Sequence, residues 1–150
     1  MKILVLYASL TGNTESMAEA VAEGVKATGA EPVLKEVMDA QVSDLLEYDG
    51  FVLGAYTWGD GELPDDFLDF YDDLEQLDLS GRKAGVFGSG ETAYAEFCAA
   101  VDLLSVKLKE RGAELIGEGL KIELNPAAAE KEACRELGRQ VALAAGQALS

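Results

Sequence analysis

The 150-residue sequence predicts an α/β protein with a doubly wound parallel sheet and helices on both faces. Apolar, strand-like runs alternate with helical patterns along the whole chain, and this alternation is typical of parallel sheets. No linker, internal repeat or low-complexity segment interrupts it, so we expect one domain over residues 1–150. Strands are predicted at 2–8, 31–36, 50–56, 83–88 and 114–117 (continuing at 120–124), and helices begin near Thr14, Asp65, Glu96 and Pro126.

The predicted helices have apolar faces. Their apolar residues recur at three- and four-residue steps, which places them on one side of each helix. We expect these faces to cover the sheet. The residues are Met17, Val21 and Val25 in the first helix, Phe97, Val101, Leu104 and Leu108 in the third, and Leu137, Val141, Ala144 and Ala148 in the last.

The composition narrows the function classes. With 28 acidic and 12 basic residues, the formal net charge is −16. This charge disfavours nucleic acid and anionic membranes as partners, because both are negative themselves. It favours proteins with basic faces, since opposite fields steer their encounter. The chain has no histidine, the side chain most used for acid–base catalysis near neutral pH, so hydrolytic triads are disfavoured.

The cysteines and the chain start predict a cytoplasmic protein with buried thiols. Cys98 and Cys134 form no CxxC motif, which disfavours a disulfide scaffold, an iron–sulfur cluster and a zinc site. A predicted strand begins at Lys2, so no signal peptide is visible. No apolar run approaches the ~20 residues that span a bilayer.

The segment "SLTGNT" (residues 9–14) follows the first predicted strand and opens the first helix. Backbone N–H groups at a helix N-terminus bind anions, helped by the helix dipole. The segment adds hydroxyls, an amide and a glycine, but no lysine or arginine, and it lacks the GxxxxGK[ST] pattern of a P-loop. The residues alone leave two interpretations open: a phosphate site, or an ordinary turn with Asn13 or Thr14 as helix cap.

Two further loops, after the third and fourth predicted strands, each carry an aromatic residue. Trp58, the only tryptophan, lies beside Gly59 in a polar loop, and Tyr94 lies near the start of a helix. Parallel strands bring these loops and the first one to one edge of the sheet, where doubly wound folds bind ligands. The two aromatics could enclose a planar ring, each adding roughly 0.5–1.5 kcal/mol. The alternative for Trp58 is a packing anchor.

Taken together, the three loops resemble those of flavodoxins. Ser-x-Thr-Gly-Asn-Thr after the first strand is similar to the family's loop for the 5′-phosphate of FMN, and the similarity covers essentially the whole chain. The uninterrupted fifth strand, "AELIGEGLKIEL", resembles the short-chain type. The resemblance implies a five-stranded flavodoxin-like sheet of order 2-1-3-4-5; flavodoxin is itself the standard example of that order, which the pattern alone does not establish.

The resemblance also implies a set of FMN-binding residues. Trp58 would cover the inner face of the flavin ring and Tyr94 the outer face. Family members often have aspartate where Glu91 stands, so that contact could differ by one methylene. The complete set is Ser9, Leu10, Thr11, Gly12, Asn13, Thr14, Tyr56, Thr57, Trp58, Gly59, Asp60, Ser89, Gly90, Glu91, Tyr94, Phe97 and Cys98.

By the same resemblance, the protein is a low-potential one-electron carrier rather than an enzyme, and its FMN shuttles between semiquinone and hydroquinone. The Gly59–Asp60 peptide would turn on reduction, presenting the Gly59 carbonyl to the flavin. A monomer is expected, with reductases, oxidoreductases and cytochromes as partners through their basic faces. The acids that would oppose an anionic reduced flavin and dock those faces are Asp60, Glu62, Asp65, Asp66, Asp69, Asp72, Asp73 and Glu75.

Three alternatives match fewer residues. "GSGETA" (residues 88–93) fits the GxGxxA pattern of nicotinamide-dinucleotide sites, but it follows the fourth strand and places Glu91 where a pyrophosphate would approach. A receiver domain would need acids after the first strand, an aspartate after the third and a lysine after the fifth, and the first and third strands end instead in Tyr7-Ala8-Ser9 and Ala55-Tyr56-Thr57. A flavodoxin-like FMN-dependent reductase stays open, although no extra segment would build its substrate pocket.

Overall fold

A computed structural model describes residues 2–8, 13–56, 65–90, 99–117, 120–123 and 128–149, with the backbone alone at the ends of several elements. Ten strands and helices are found in these ranges. In chain order they are β1 (Lys2–Tyr7), α1 (Asn13–Ala27), β2 (Glu31–Glu36), β3 (Gly50–Tyr56), α2 (Asp65–Asp73), β4 (Lys83–Gly90), α3 (Ala99–Glu110), β5 (Glu114–Leu115), β6 (Leu120–Glu123) and α4 (Ala128–Leu149).

The sheet is parallel and has the expected order. β1 pairs with β2 on one side and β3 on the other, and β4 lies beyond β3. β5 and β6 both pair with β4 and share the fifth position, which confirms the order 2-1-3-4-5. Three residue steps along β4, from Ala84 to Phe87, face five steps from Leu115 to Leu120. The fifth strand therefore consists of two segments, as predicted, although the first ends at Leu115 instead of residue 117. Gly117, which follows the first segment, has a φ of +82°.

Alternate residues of the strands point to two separate cores, as the pleat requires. Leu4 and Leu6 belong to a core closed by α2 and α3, whereas Ile3 and Val5 belong to a core closed by α1 and α4. All four side chains are fully buried. Because both faces are covered, the central strands are apolar along their whole length rather than alternating.

The predicted helix faces are mostly confirmed. Met17, Val21 and Val25 of α1 are fully buried, as are Val101, Leu104 and Leu108 of α3, while Phe97 lies outside the described residues. In α4, Val141 and Ala145 are buried and Ala144 is half-buried, while the side chain of Ala148 is outside the described part. A four-residue step from Val141 stays closer to the buried face than a three-residue step does here, because a turn takes 3.6 residues.

A segment that the sequence pattern left unassigned forms two 3₁₀ helices after β2, at Val37–Asp39 and Val42–Glu47. The second begins with a capping box in which the Gln41 N–H donates to Asp44 Oδ2 at 3.0 Å. Val37 and Leu45 anchor the segment in the α2/α3 core. It therefore forms a fixed wall beside α2, next to the edge where β2 ends.

Candidate functional site

The three chemically distinctive loops leave from neighbouring strands at one edge of the sheet. In register, Tyr7 at the end of β1 lies opposite Gly54 of β3, and Tyr56 at the end of β3 lies opposite Ser89 of β4. Neighbouring strands are about 4.8 Å apart, so the ends of β1, β3 and β4 fall within roughly 10 Å across the sheet. We refer to this side, where the parallel strands have their C-terminal ends, as the carboxyl edge.

The end of β1 and the start of α1 flank the first loop. After β1, the Ala8 N–H donates to the Gly54 carbonyl at 3.0 Å, which keeps the departing chain beside β3. α1 begins at Asn13 and runs for 15 residues. A helix of this length has a full dipole, and its first N–H groups have no partner within the helix. The carboxyl edge therefore carries donors suited to an anion, next to β1 and β3.

The strands that lead to the other two loops approach each other closely. A methyl carbon at Gly54 would lie 2.1 Å from the Phe87 ring, and one at Gly88 would lie 2.6 Å from the Ala55 carbonyl oxygen. A side chain at Gly54 would displace the Phe87 ring, and one at Gly88 would press against the backbone of β3 just before its end. The sequence pattern does not predict that glycine is required at these two positions, because the requirement comes from neighbours across the sheet.

The pKa of Tyr7 indicates a negative electrostatic field at the carboxyl edge. Burial raises the pKa of its hydroxyl above the usual range, and the carboxylates of Glu15, Glu36, Glu19 and Asp39 raise it further. These acids come from α1, the end of β2 and the 3₁₀ helix that follows. They lie outside the acidic run recognised in the sequence, so the edge is more negative than that run alone implies.

The acidic run itself is heterogeneous. Glu75 receives a hydrogen bond from the Lys107 ammonium, and Arg111 Nη1 donates to the Glu75 backbone carbonyl at 2.9 Å. The charge of Glu75 is thus largely compensated. The prediction that Glu75 adds to the negative field at the flavin is therefore wrong. Three other members are exposed on α2: Asp69, Asp72 and Asp73.

Most of the predicted FMN-binding residues fall outside the described part of the chain, and their contacts stay predictions. Those outside are Ser9, Leu10, Thr11, Gly12, Thr57, Trp58, Gly59, Asp60, Glu91, Tyr94, Phe97 and Cys98. The structure describes the backbone, without the side chain, of Asn13, Thr14, Tyr56, Ser89 and Gly90, all at element ends on the carboxyl edge.

Other kinds of site find no support in the described residues. None of their His, Cys, Asp and Glu side chains gather into a group of three that could hold a metal ion. Within the same ranges, no helix is both long and apolar enough to cross a membrane. Cys134 is buried in the core between α1 and α4, as expected for that thiol.

The sheet is doubly wound, and the start of α1, which can bind an anion, lies at the same edge as the ends of the strands that lead to the three loops. These features define the class of α/β proteins that bind a nucleotide-type cofactor at the carboxyl edge. Residues 5–138 match the family model for flavodoxin. The chain is 47% identical to probable flavodoxin 2 of Bacillus subtilis over 149 residues, which is 99% of each chain. It resembles the structure of oxidised flavodoxin 1 from Bacillus cereus with a TM-score of 0.90 and 48% identity, covering 94% of this chain and 97% of that one. For oxidised flavodoxin 2 from Bacillus cereus the values are 0.86 and 50%, covering 98% and 99%.

The chain belongs to the flavodoxin family, as a short-chain member. Proteins of this family carry electrons on FMN and do not turn over a substrate of their own. This excludes the reductase and nicotinamide-dinucleotide alternatives as its main function. The first three residues of the "GSGETA" segment, Gly88, Ser89 and Gly90, are the last residues of β4.

Proposed function

We propose that the chain forms one FMN-binding domain over residues 1–150 and holds the cofactor non-covalently in the three loops of the carboxyl edge. The observation that carries this proposal is the shared edge: the ends of β1, β3 and β4 and the start of α1 meet there. The proposed ligands are the seventeen residues named from the sequence. When bound, FMN supplies the one-electron chemistry, and the protein supplies its orientation and electrostatic surroundings.

The phosphate of FMN would be bound by neutral donors. The first N–H groups of α1 and the hydroxyls of Ser9, Thr11 and Thr14 can hold a dianion without a countercharge. Lys2 stands at the start of β1 and Lys26 in the last turn of α1, both toward the opposite edge of the sheet. The phosphate charge therefore adds to the negative field instead of being neutralised.

The acids near the carboxyl edge would lower the potential at which the protein accepts its second electron. A carboxylate ~10 Å away contributes on the order of 1–2 kcal/mol at an effective dielectric constant of about 20. For one electron, about 1.4 kcal/mol corresponds to about 59 mV. The carboxylates that surround Tyr7 act in the same direction as the acids of α2, so a low-potential donor is the expected result.

The same field would select redox partners with basic faces, such as reductases, oxidoreductases and cytochromes. Opposite charges speed encounter, and salt screens them, so transfer rates should fall with ionic strength. We further propose a monomer that leaves the flavin edge accessible. Two widely separated cysteines and no disulfide framework support placement in the cytoplasm.

Reconstitution tests the cofactor assignment. The purified apoprotein should take up one equivalent of FMN and become yellow, and a redox titration should resolve two one-electron steps. Nicotinamide dinucleotides should not compete for the site. A protein that remains colourless with excess FMN would contradict the proposal.

Two glutamates at opposite ends of β2 provide a matched test of the field. Glu36 lies at the carboxyl edge and Glu31 at the start of the strand, and both are exposed. Glu36→Gln should raise the second potential by roughly 20–60 mV at low salt. Glu31→Gln, with the same charge change, should shift it less. Equal shifts would reject a local field at the edge.

A further inference from the structure

Helices α1 and α4 contact each other through their backbones at two glycines. A methyl carbon at Gly24 of α1 would lie 1.8 Å from the Arg135 carbonyl oxygen of α4. Reciprocally, a methyl carbon at Gly138 of α4 would lie 2.1 Å from the Val21 carbonyl oxygen of α1. Each helix therefore receives a carbonyl group of the other at a place where a side chain would otherwise stand. Backbone atoms have no alternative rotamers, so this contact fixes the two helices relative to each other.

An ion pair joins the same two helices at the surface. Arg135 Nε donates to Glu23 Oε2 at 2.7 Å, beside Gly24. Both side chains are largely exposed, and exposed pairs of this kind contribute little to stability. The backbone contact at the two glycines, rather than the ion pair, therefore sets the position of α1 against α4.

Helix α4 in turn lies closely on the two strands that lead to the second and third loops. A methyl carbon at Gly50 of β3 would lie 3.2 Å from the Ala145 methyl carbon of α4. One at Gly85 of β4 would lie 3.0 Å from Val141 Cγ2. The absence of side chains at these two strand positions lets α4 approach the sheet. A continuous set of close contacts thus runs from β3 and β4 through α4 to α1.

The start of α1 is far from this contact but depends on it. Gly24 follows Asn13 by about three turns, which is about 16 Å along the helix axis. The side chains of Met17, Val21 and Val25 hold α1 on the sheet. Such side chains can repack when a helix shifts, whereas the backbone contact with α4 cannot. A hydrogen bond from an N–H group keeps a favourable length over only about 0.5 Å, so anion binding at the start of α1 requires an accurately placed helix.

We propose that Gly24 and Gly138 are positioning residues for the cofactor. Through α4, they fix the distance between the N–H groups of α1 that bind the phosphate and the loops that bind the flavin ring. Gly24 is too far from the start of α1 to touch the phosphate, so it acts only through the position of the helix. The inference rests on the proposed function, because it assumes that FMN places its phosphate at α1. Riboflavin has the same ring and ribityl chain without the phosphate, and its binding should be independent of the contact.

Dissociation constants of FMN and riboflavin, obtained by fluorescence titration of the apoprotein, test this role. In Gly24→Ala, α1 and α4 must separate by more than 1 Å to reach the 3.4 Å of an ordinary contact. FMN binding should weaken about 10–30-fold, as expected when one or two hydrogen bonds to a charged group are lost, and riboflavin binding by less than about 2-fold. Gly138→Ala fills the same contact from α4 and should give the same selectivity.

Gly88→Ala is the matched control. A methyl carbon at Gly88 would lie 2.6 Å from the Ala55 carbonyl oxygen, so this variant also presses against backbone, but between β3 and β4. It should weaken FMN and riboflavin by similar factors, because it displaces the strand ends that lead to the ring-binding loops. Circular dichroism checks that each variant is folded. If Gly24→Ala weakens both ligands by the same factor, as Gly88→Ala does, the positioning role is wrong.

Hydrogen exchange in the wild-type protein tests the same coupling without a substitution, so the proposal can be overturned even if both helix variants fail to fold. Coupling between two sites is reciprocal, so phosphate binding should stabilise the contact between the helices. FMN and riboflavin are each added at the same multiple of their dissociation constants, which makes them stabilise the whole fold equally. Amides of residues 21–25 and 135–138 should then exchange about 3–10-fold more slowly with FMN. Amides of residues 101–108 in α3 should exchange alike with either ligand.

The outcomes distinguish the positioning role from the proposed function. If wild-type protein binds FMN but its helix amides exchange equally with both ligands, the positioning role is wrong and the FMN site stands. A wild-type protein that binds FMN and riboflavin equally well would show that α1 does not hold the phosphate, which also overturns the inference. A wild-type protein that binds neither ligand would overturn both proposals.

Discussion

The two helical layers of this protein pack on the same sheet in different ways. α1 and α4 are long, at 15 and 22 residues, and they approach until a methyl carbon at Gly138 would lie 2.1 Å from the Val21 carbonyl oxygen. α2 and α3 are shorter, at 9 and 12 residues. Their core is filled by large side chains, including Phe67 and Phe70, which meet edge to face with centroids 5.7 Å apart.

We interpret this difference as a division of roles: the α1/α4 layer supports the cofactor site, and the α2/α3 layer provides the surface that partners contact. Backbone contact between α1 and α4 leaves no room for rearrangement, and α1 presents its N-terminus to the carboxyl edge from that rigid layer. The α2/α3 layer is joined by side chains and an ion pair, and it carries the exposed acids of α2 on its surface. A carrier that must hold one cofactor and meet several partners gains from a fixed layer and a more adaptable one.

The largest effect on stability is expected from an added methyl group between α1 and α4. Gly138→Ala should lower the free energy of unfolding by about 3 kcal/mol, despite the better helix propensity of alanine, because overpacking against backbone cannot be relieved by a rotamer change. Urea unfolding followed by circular dichroism measures the effect. The control is Gly29→Ala, where φ is +91° and no atom would lie within 4 Å, so only backbone strain of about 1 kcal/mol is added. Equal losses would mean that the helices can move apart.

The matching test in the other layer concerns the ion pair between α3 and a 3₁₀ turn, Leu74–Gln76, that follows α2. Lys107 is nearly buried, with its ammonium on Glu75 and 4.6 Å from the centre of the Tyr71 ring, whereas Glu75 is half exposed. Glu75→Gln should therefore cost about 1–2 kcal/mol, since it leaves a buried charge without its carboxylate. Lys107→Met should cost less, because no buried charge remains.

Matched variants make this asymmetry measurable by urea unfolding. The double variant Glu75→Gln/Lys107→Met should be no less stable than Glu75→Gln alone, because the contacting pair is non-additive. Asp72→Asn serves as the control, since Asp72 is an exposed acid of α2, just before the turn that holds Glu75. A double variant that loses the sum of both single effects would show that the two side chains act independently.

The two layers also differ in how far the sequence predicts them. The bounds of β2 and β3 agree with the prediction to the residue. β3 is a buried apolar run, whereas β2 is a partly exposed edge strand. The buried face of α1 follows from its period. The close approach at Gly138 could not be predicted, because a helical glycine in a sequence indicates only a weaker helix. The pair of Glu75 and Lys107 joins residues 32 positions apart, which no local pattern reveals.

For the candidate site, the sequence predicts the edge better than its surroundings. Three loops after parallel strands must share an edge, and the register of β1, β3 and β4 agrees. The carboxylates around Tyr7 come together only through packing between elements that are distant in the sequence. The segment of residues 37–47 has no clear period, because 3₁₀ turns follow neither the helical nor the strand repeat.

The smallest expected effect compares one tyrosine from each layer. Burial, followed by nearby carboxylates, raises the pKa of Tyr7 on the α1/α4 side and of Tyr71 on the α2/α3 side. The neutral phenol is therefore favoured in the folded state, so each residue's contribution to stability is fully present below about pH 10 and is lost as the pH rises through its folded pKa. Tyr7→Phe should reduce this loss of stability at high pH in urea unfolding, and Tyr71→Phe should do so as well.

Added salt should lower the pKa of Tyr7 in a spectrophotometric titration, because it screens the carboxylates at the carboxyl edge but not the burial of the ring. A Tyr7 pKa that does not respond to salt would mean that burial alone sets it and that the edge lacks the negative field on which the low potential depends.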